Sequence, residues 1–340
     1  MAPAVQRFTD KVNTRAVAIY ITILPLSIAG SLLYRAVDMQ MKKTGVLRKL
    51  LLELRAAITI LLDVRGTDFY SEVSYLSDLL LGVTLRRLGA KNLLPGHLIF
   101  RDIYVKVKRL GDSIFCIPAK SDALLYVMPY FEPLTFKIMK SLLKPGDVAI
   151  DVGAHIGVYT IPMAKIVGPR GIVVAVEPSP IRKYLIKNIK LNNVENVLVS
   201  EKAAYSTQRH LEFYFDLAHS GIGSTVVGWA EKFVKSQLVR LKVEDDTLDN
   251  IVLSKIPSLD HVKLLKVDVE GAEVEVLKGA ADILKLTDYI IFEASKQTIE
   301  SCLKMLSEFD VKFIEGSGPE TFNFIAIRRG NINPICVAED

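Results

Sequence analysis

The chain has 340 residues, too many for one modest domain, and half are hydrophobic, which excludes a disordered or low-complexity protein. Its three cysteines, Cys116, Cys302 and Cys336, are too widely spaced for a disulfide framework or a thiolate metal site and point to a reducing compartment. The net charge of +5 is uneven: residues 1–110 hold 17 Lys/Arg against 8 Asp/Glu, the remainder 26 against 30, so the main body offers no nucleic-acid face.

Ala16 to Tyr34 carries no charge and lies between Arg15 and Arg35. At roughly 20 residues it is long enough to span a bilayer, and Pro25 and Gly30 are tolerated in such a helix. The more basic side follows it, with Arg35, Lys42, Lys43, Arg48 and Lys49, which would leave the rest of the chain in the cytoplasm. The other reading is a packed or interfacial helix of a helical cap. Residues 46–64 and 71–90 repeat apolar side chains at helical spacing, which predicts two amphipathic helices. Residues 1–95 therefore read as an N-terminal helical region with a candidate membrane anchor at 16–34, and residues 96–340 as the main domain.

Around Leu94-Pro95-Gly96 the texture changes. Ile103 to Val107 and Ile114 to Ile117 alternate about Gly111-Asp112, which predicts a β-hairpin. Phe131-Glu132-Pro133 opens a helical pattern, and Lys144-Pro145-Gly146-Asp147 turns the chain into the stretch that organises everything after it. Val148 to Ile150 predicts a buried strand, Asp151 closes it, a loop with Gly153 and Gly157 follows, and a helix runs to Gly168. Strand, glycine loop and helix form a nucleotide site, because the backbone lies open to a ligand and the helix N-terminus presents free N–H groups. His155 stands where the dinucleotide fingerprint needs its middle glycine, so a pyrophosphate fits poorly. A ligand with ribose and adenine but no phosphate fits better, and S-adenosylmethionine is such a ligand.

Strands and helices then alternate as a doubly wound parallel sheet requires. Ile172 to Val176 is the second strand, with Glu177 at its carboxyl end, where an acid accepts hydrogen bonds from ribose hydroxyls. A helix over Ile181 to Leu191 and a third strand, Val197 to Ser200, lead to Ala203 and Ala204, small enough for an adenine ring to lie against. Leu211 to Phe215 and Leu238 to Val243 read as strands about a Gly/Ser loop, His219 to Thr225. Val262 to Val267 is an apolar strand ending in Asp268, with Glu270 and Glu273 in the turn to the next helix. Three carboxylates within six residues are costly without a cation nearby, although acids at a helix N-terminus are also favoured by its dipole. Tyr289 to Glu293 is a fifth strand, and Lys312 to Ile314 with Asn323 to Arg328 close the chain as an antiparallel hairpin.

Asp-Val-Gly-Ala-His-Ile-Gly-Val-Tyr-Thr at 151–160, Val-Glu-Pro-Ser-Pro at 176–180 and Lys-Val-Asp-Val-Glu-Gly-Ala-Glu at 266–273 resemble the FkbM family of S-adenosylmethionine-dependent methyltransferases. Phe131-Glu132-Pro133 and Thr247-Leu248-Asp249 are similar too, so the likeness covers roughly residues 100–330. It implies a class I methyltransferase fold, Rossmann-like and doubly wound with a C-terminal antiparallel hairpin, acting on hydroxyl oxygens of polyketides, sugars and related metabolites. It also implies that Asp151, Gly153, Ala154 and Gly157 form the cofactor loop, that Glu177 holds the ribose, and that Asp268 and Glu270 face the reaction centre. His155 departs from the Asn of many relatives without disturbing that assignment.

Methyl transfer to a hydroxyl needs alignment and a group to receive the proton. Asp268 is the first candidate, Glu270 the second, with His155 and His219 further off. No metal is expected; a divalent ion on Asp268 and a neighbouring carboxylate is the alternative. The expected acceptor is a small-molecule or glycolipid-type hydroxyl compound, with no nucleic acid partner and membrane association through the N-terminal helices. Two other readings stay open: a non-catalytic binding or scaffold module of the same fold, attached to a membrane or complex, and a nicotinamide-dependent oxidoreductase, which the missing glycine disfavours.

Overall fold

The computed structural model describes residues 55–87, 89, 94–207, 210–224, 238–318 and 320–331. The backbone divides into two compact units, Met1–Leu62 and Asp63–Asp340. Of the first, residues 55–62 are described and are helical. The candidate anchor at 16–34 and the beginning of the helix expected over 46–64 lie outside the described residues. Among the described residues, no helix is long and apolar enough to cross a membrane.

The second unit opens with a strand inside the region read from sequence as helical. β1 (Val64–Gly66) pairs antiparallel with β2 (Ile103–Val107), which pairs with β3 (Ser113–Ile117) as the predicted hairpin. The correction has a tertiary cause. Residues 64–66 take their hydrogen-bond partners from residues 105–107, about forty positions on, and helical periodicity does not report such a partner. Asp68 then starts the helix Phe69–Arg87 by accepting the Ser71 N–H at 2.9 Å, which satisfies one of the helix's orphan donors.

The remaining strands are β4 (Val148–Val152), β5 (Ile172–Val176), β6 (Val197–Ser200), β7 (Ala203–Ala204), β8 (His210–Phe215), β9 (Val239–Asp246), β10 (Val262–Val267), β11 (Thr287–Ser295), β12 (Phe309–Gly316) and β13 (Thr321–Arg328). Seven of them form one sheet in the order β12-β13-β11-β10-β4-β5-β6. β6, β5, β4, β10 and β11 run parallel, and β13 enters antiparallel between β11 and β12. That is the doubly wound class I methyltransferase topology with its C-terminal hairpin. β7, β8 and β9 make a small separate sheet.

Helices cover the parallel strands on both faces, which is why those strands read as near-continuous apolar runs. On one face Ile150, Val174, Leu265 and Ile290 meet Leu248, Val276, Leu277 and Cys302 in a single core. Truncating Leu265, fully buried there, to alanine costs about 2–5 kcal/mol. Thr247-Leu248-Asp249 supplies two caps to this layer. Thr247 Oγ1 accepts the Asn250 N–H at 3.2 Å at the start of the helix Leu248–Leu253. Asp249 accepts the N–H groups of Asp282 and Ile283, at 3.0 and 2.9 Å, at the start of the helix Ala281–Leu286.

Candidate functional site

β4 lies between β5 and β10, where the winding of the sheet reverses, and the strand carboxyl ends open a crevice there. The crevice is a pocket with about 910 Å³ of empty space, its open mouth included. Asp151 lines it from the end of β4, Gly153, Ala154 and His155 from the loop that follows, Glu177 from the end of β5, and Ala203 from β7. Asp268 and Glu270 line it from the loop after β10. Gly157 does not line it; it sits behind the loop against Leu185 and Ile161, and its N–H returns to the Ala154 carbonyl at 2.8 Å.

The loop takes its shape from backbone hydrogen bonds. Gly153 and Ala154 both donate to the Val176 carbonyl, at 3.0 and 3.1 Å, which folds the loop over the end of β5. Gly153 has φ +83°, and a side chain there would overlap the Asp268 carbonyl, so only glycine lets the two loops meet. His155 also has positive φ, +51°, and its N–H donates to Glu177 Oε2 at 2.8 Å. The Ser179 N–H donates to Glu177 Oε1 at 2.9 Å. Burial pushes the Glu177 carboxyl above its ordinary range while these donors pull it back. Glu177 is thus anchored from behind, with acceptor capacity left towards the pocket.

One cation answers the acids. Lys266, at the register position between Asp151 on β4 and Ile291 on β11, is fully enclosed, with Nζ 3.0 Å from Asp268 Oδ2 and 3.9 Å from Asp151 Oδ1. Burial opposes its charge, yet Asp268, Asp151 and Glu132 together hold the ammonium above the ordinary lysine range. It also lies 4.6 Å over the Tyr159 ring. Asp151 Oδ2 accepts the Thr160 hydroxyl at 2.6 Å, whereas its Oδ1, buried, has no hydrogen-bond partner. Sequence reasoning passed over Lys266, although a lysine two residues before Asp268 in a strand points to the same side.

The carboxylates divide by environment. Glu273, crowded with Asp268 and Glu270 in sequence, turns inward: Oε1 accepts the Gly271 N–H at 2.8 Å, and burial raises its carboxyl to about 7. Glu293, from β11, takes its place. Oxygens of Asp268, Glu270 and Glu293 lie within 4.8 Å of one another, and oxygen donors so grouped suit a hard divalent cation. Burial, then the charges of Asp268 and Glu270, push the Glu293 carboxyl well up. Glu132, just before Pro133, has φ +44°; it accepts the Tyr159 hydroxyl at 2.6 Å and the Asn323 amide at 2.7 Å. Burial and then the charge of Asp268 raise it to about 7.

A polar cluster closes the far side of the loop. His155 Nε2 is 2.8 Å from Ser220 Oγ, whose hydroxyl donates to Asp122 at 2.8 Å. With that hydroxyl proton committed to Asp122, the imidazole carries its own proton on Nε2 and donates. Burial and then Lys266 lower His155 to about 3, so it stays neutral and is a poor proton acceptor. His219 does not line the pocket; its Nδ1 meets Asp216 Oδ2 at 3.1 Å.

The residues present fit a cationic nucleoside better than a dinucleotide. Among the described residues lining the pocket, four carboxylates stand against Lys266, so a pyrophosphate would be repelled. A sulfonium or ammonium group and ribose hydroxyls would find acceptors among Glu177, Asp268 and Glu270.

The methyltransferase FkbM domain model matches residues 151–322. Methyltransferase 1 of Beauveria bassiana (strain ARSEF 2860) is 29% identical over 145 residues, which cover 39% of this chain and 58% of that protein. The 31-O-demethyl-FK506 methyltransferase FkbM of Streptomyces tacrolimicus is 29% identical over 164 residues, 41% of this chain and 62% of that protein. The chain thus spans about three fifths of the length of these curated relatives. The solved methyltransferase FkbM of Methylobacillus flagellatus KT aligns over 77% of this chain and 63% of its own, at 13% identity and a TM-score of 0.36. With half of its length matched by that one domain model, the chain belongs to the FkbM methyltransferase family.

Proposed function

We propose that the protein is an S-adenosylmethionine-dependent methyltransferase that methylates a hydroxyl of a small-molecule or glycolipid-type acceptor. The observation that carries this reading is the acidic pocket at the switch point, with Glu177 braced from behind and Asp151, Asp268 and Glu270 lining the same crevice. The name of the Streptomyces relative, a 31-O-demethyl-FK506 methyltransferase, supports oxygen as the receiving atom. Glu177 would take the ribose hydroxyls, the glycine loop would let the ligand approach the backbone, and Ala203 would offer a flat wall. When bound, the cofactor supplies a methyl group already made electrophilic by its sulfonium.

The chain's own residues then align the acceptor and receive its proton. Asp268 is the candidate for both tasks. Lys266 bonds its Oδ2 and orients the carboxylate, which leaves Oδ1 for the acceptor hydroxyl. Glu270 stands beside it as the second carboxylate. His155 is a brace for the loop and takes no proton.

The experiment is calorimetric titration with S-adenosylmethionine and with NAD as control, then incubation with methyl-labelled cofactor and a panel of hydroxylated lipids, sugars and polyketides. Binding of the first, none of the second and label in an ether product are expected. Cofactor binding with no transfer across the panel would favour a non-catalytic module.

A further inference from the structure

The helix Phe69–Arg87 is built inside out. Its protein-facing side is polar: Ser71, Tyr75 and Asp78 are buried. Asp78 accepts the N–H groups of Gly96 and Leu98 at 2.7 and 2.8 Å, and Tyr75 donates to the Val64 carbonyl at 2.9 Å. Its solvent side is apolar, with Phe69 85% and Leu80 71% exposed, and Val73 and Leu81 beside them at helical spacing. A helix of a globular domain is normally turned the other way, and a contiguous exposed apolar face marks an interaction surface.

The neighbouring loop extends this face. Phe100 is 71% exposed, and the next residue, Arg101, lies over the Tyr70 ring at 5.7 Å. Lys120 lies over the Phe100 ring at 5.6 Å. Apolar side chains rimmed by aromatics that carry Arg and Lys are the chemistry of a membrane–water interface: rings at headgroup level, cations reaching the phosphates, aliphatic groups below. Charge agrees with it, since residues 63–110, which belong to the same unit as this face, hold 8 Lys/Arg against 5 Asp/Glu, and Arg101 and Lys120 stand at the face itself to meet an anionic leaflet. We propose that the outer face of the helix Phe69–Arg87, with Phe100, docks the protein on an anionic lipid bilayer.

The test uses the full-length chain in a Trp229→Phe background, which removes its single tryptophan. Leu80→Trp and Phe100→Trp place probes on the face, and Ile186→Trp places one at an exposed position on another helix. Each variant is mixed with phosphatidylglycerol–phosphatidylcholine vesicles whose acyl chains are brominated. The probes at 80 and 100 should lose emission to bromine, and the probe at 186 should keep it. Probes at 80 and 100 quenched no more than that at 186 would overturn the proposal; if they are also blue-shifted before lipid is added, protein covers the face. Equal quenching in neutral phosphatidylcholine vesicles would overturn the choice of an anionic surface. Thermal melting of each variant confirms that it is folded, and no readout depends on methyl transfer.

Discussion

Lys266 and Asp268, two residues apart on one side of a strand, form an ion pair at 3.0 Å inside the pocket wall, and the same ammonium reaches Asp151 at 3.9 Å. One buried cation therefore holds together the acids of two adjacent strands. Breaking a buried pair leaves a charge uncompensated, so Lys266→Met should destabilise the protein by about 3–5 kcal/mol in urea unfolding. Adding Asp268→Asn to Lys266→Met removes one of the stranded charges and should recover part of that loss. No recovery in the double variant would mean that packing, not charge, explains the single one.

Asp268→Asn by itself preserves volume and removes the group proposed to receive the hydroxyl proton. It should change S-adenosylmethionine affinity by less than about tenfold and slow single-turnover methyl transfer roughly 10²-fold or more. A rate near that of the wild type would move the role to Glu270.

Glu177 carries the ribose assignment. Glu177→Ala should weaken cofactor binding by about 1.5–3 kcal/mol in calorimetry, the loss typical of hydrogen bonds to a charged group. Part of this comes from the loop, since the His155 and Ser179 N–H groups lose their acceptor as well. Unchanged affinity would take Glu177 out of the site.

His155 sits at φ +51°, where asparagine is tolerated and a β-branched residue is not. His155→Asn should bind cofactor nearly as the wild type does, whereas His155→Val should lose about 1–2 kcal/mol of stability to backbone strain. Equal melting temperatures for the two variants would show that the loop relaxes.

Glu132 links stability to pH. Its folded-state value, about 7, lies above the ordinary 4.5. Between those values the native state keeps a proton that the unfolded chain has released, so its contribution to stability falls as pH rises from about 4.5 to about 7. Glu132→Gln should remove that fall, so the difference between the two proteins' stability–pH curves should slope between about pH 4.5 and about pH 7. Parallel curves would show that Glu132 is ionised throughout.

Much of this protein is legible without coordinates because the signals are local. The strands around Ile150, Val174, Leu265 and Ile290 are buried on both faces, so each is a short apolar run whatever it packs against. Asp151, Gly153 and Glu177 are marked by their place at strand ends, and Gly153 by a turn that only glycine can make. What tertiary structure decided is which groups share a low-dielectric space. Ser220 and Asp122 are bonded across 98 residues of sequence. Glu132, far in sequence from both, comes under the charge of Asp268 and reaches Asn323. Glu273 turns inward and Glu293 replaces it among the site carboxylates, a choice set by which side chain finds a backbone donor. β1 is a strand because β2 lies beside it to pair, and Lys266 matters because two strands lie in register. Periodicity records which side of an element is buried; it carries no record of what stands opposite, and charge and close approach depend on that.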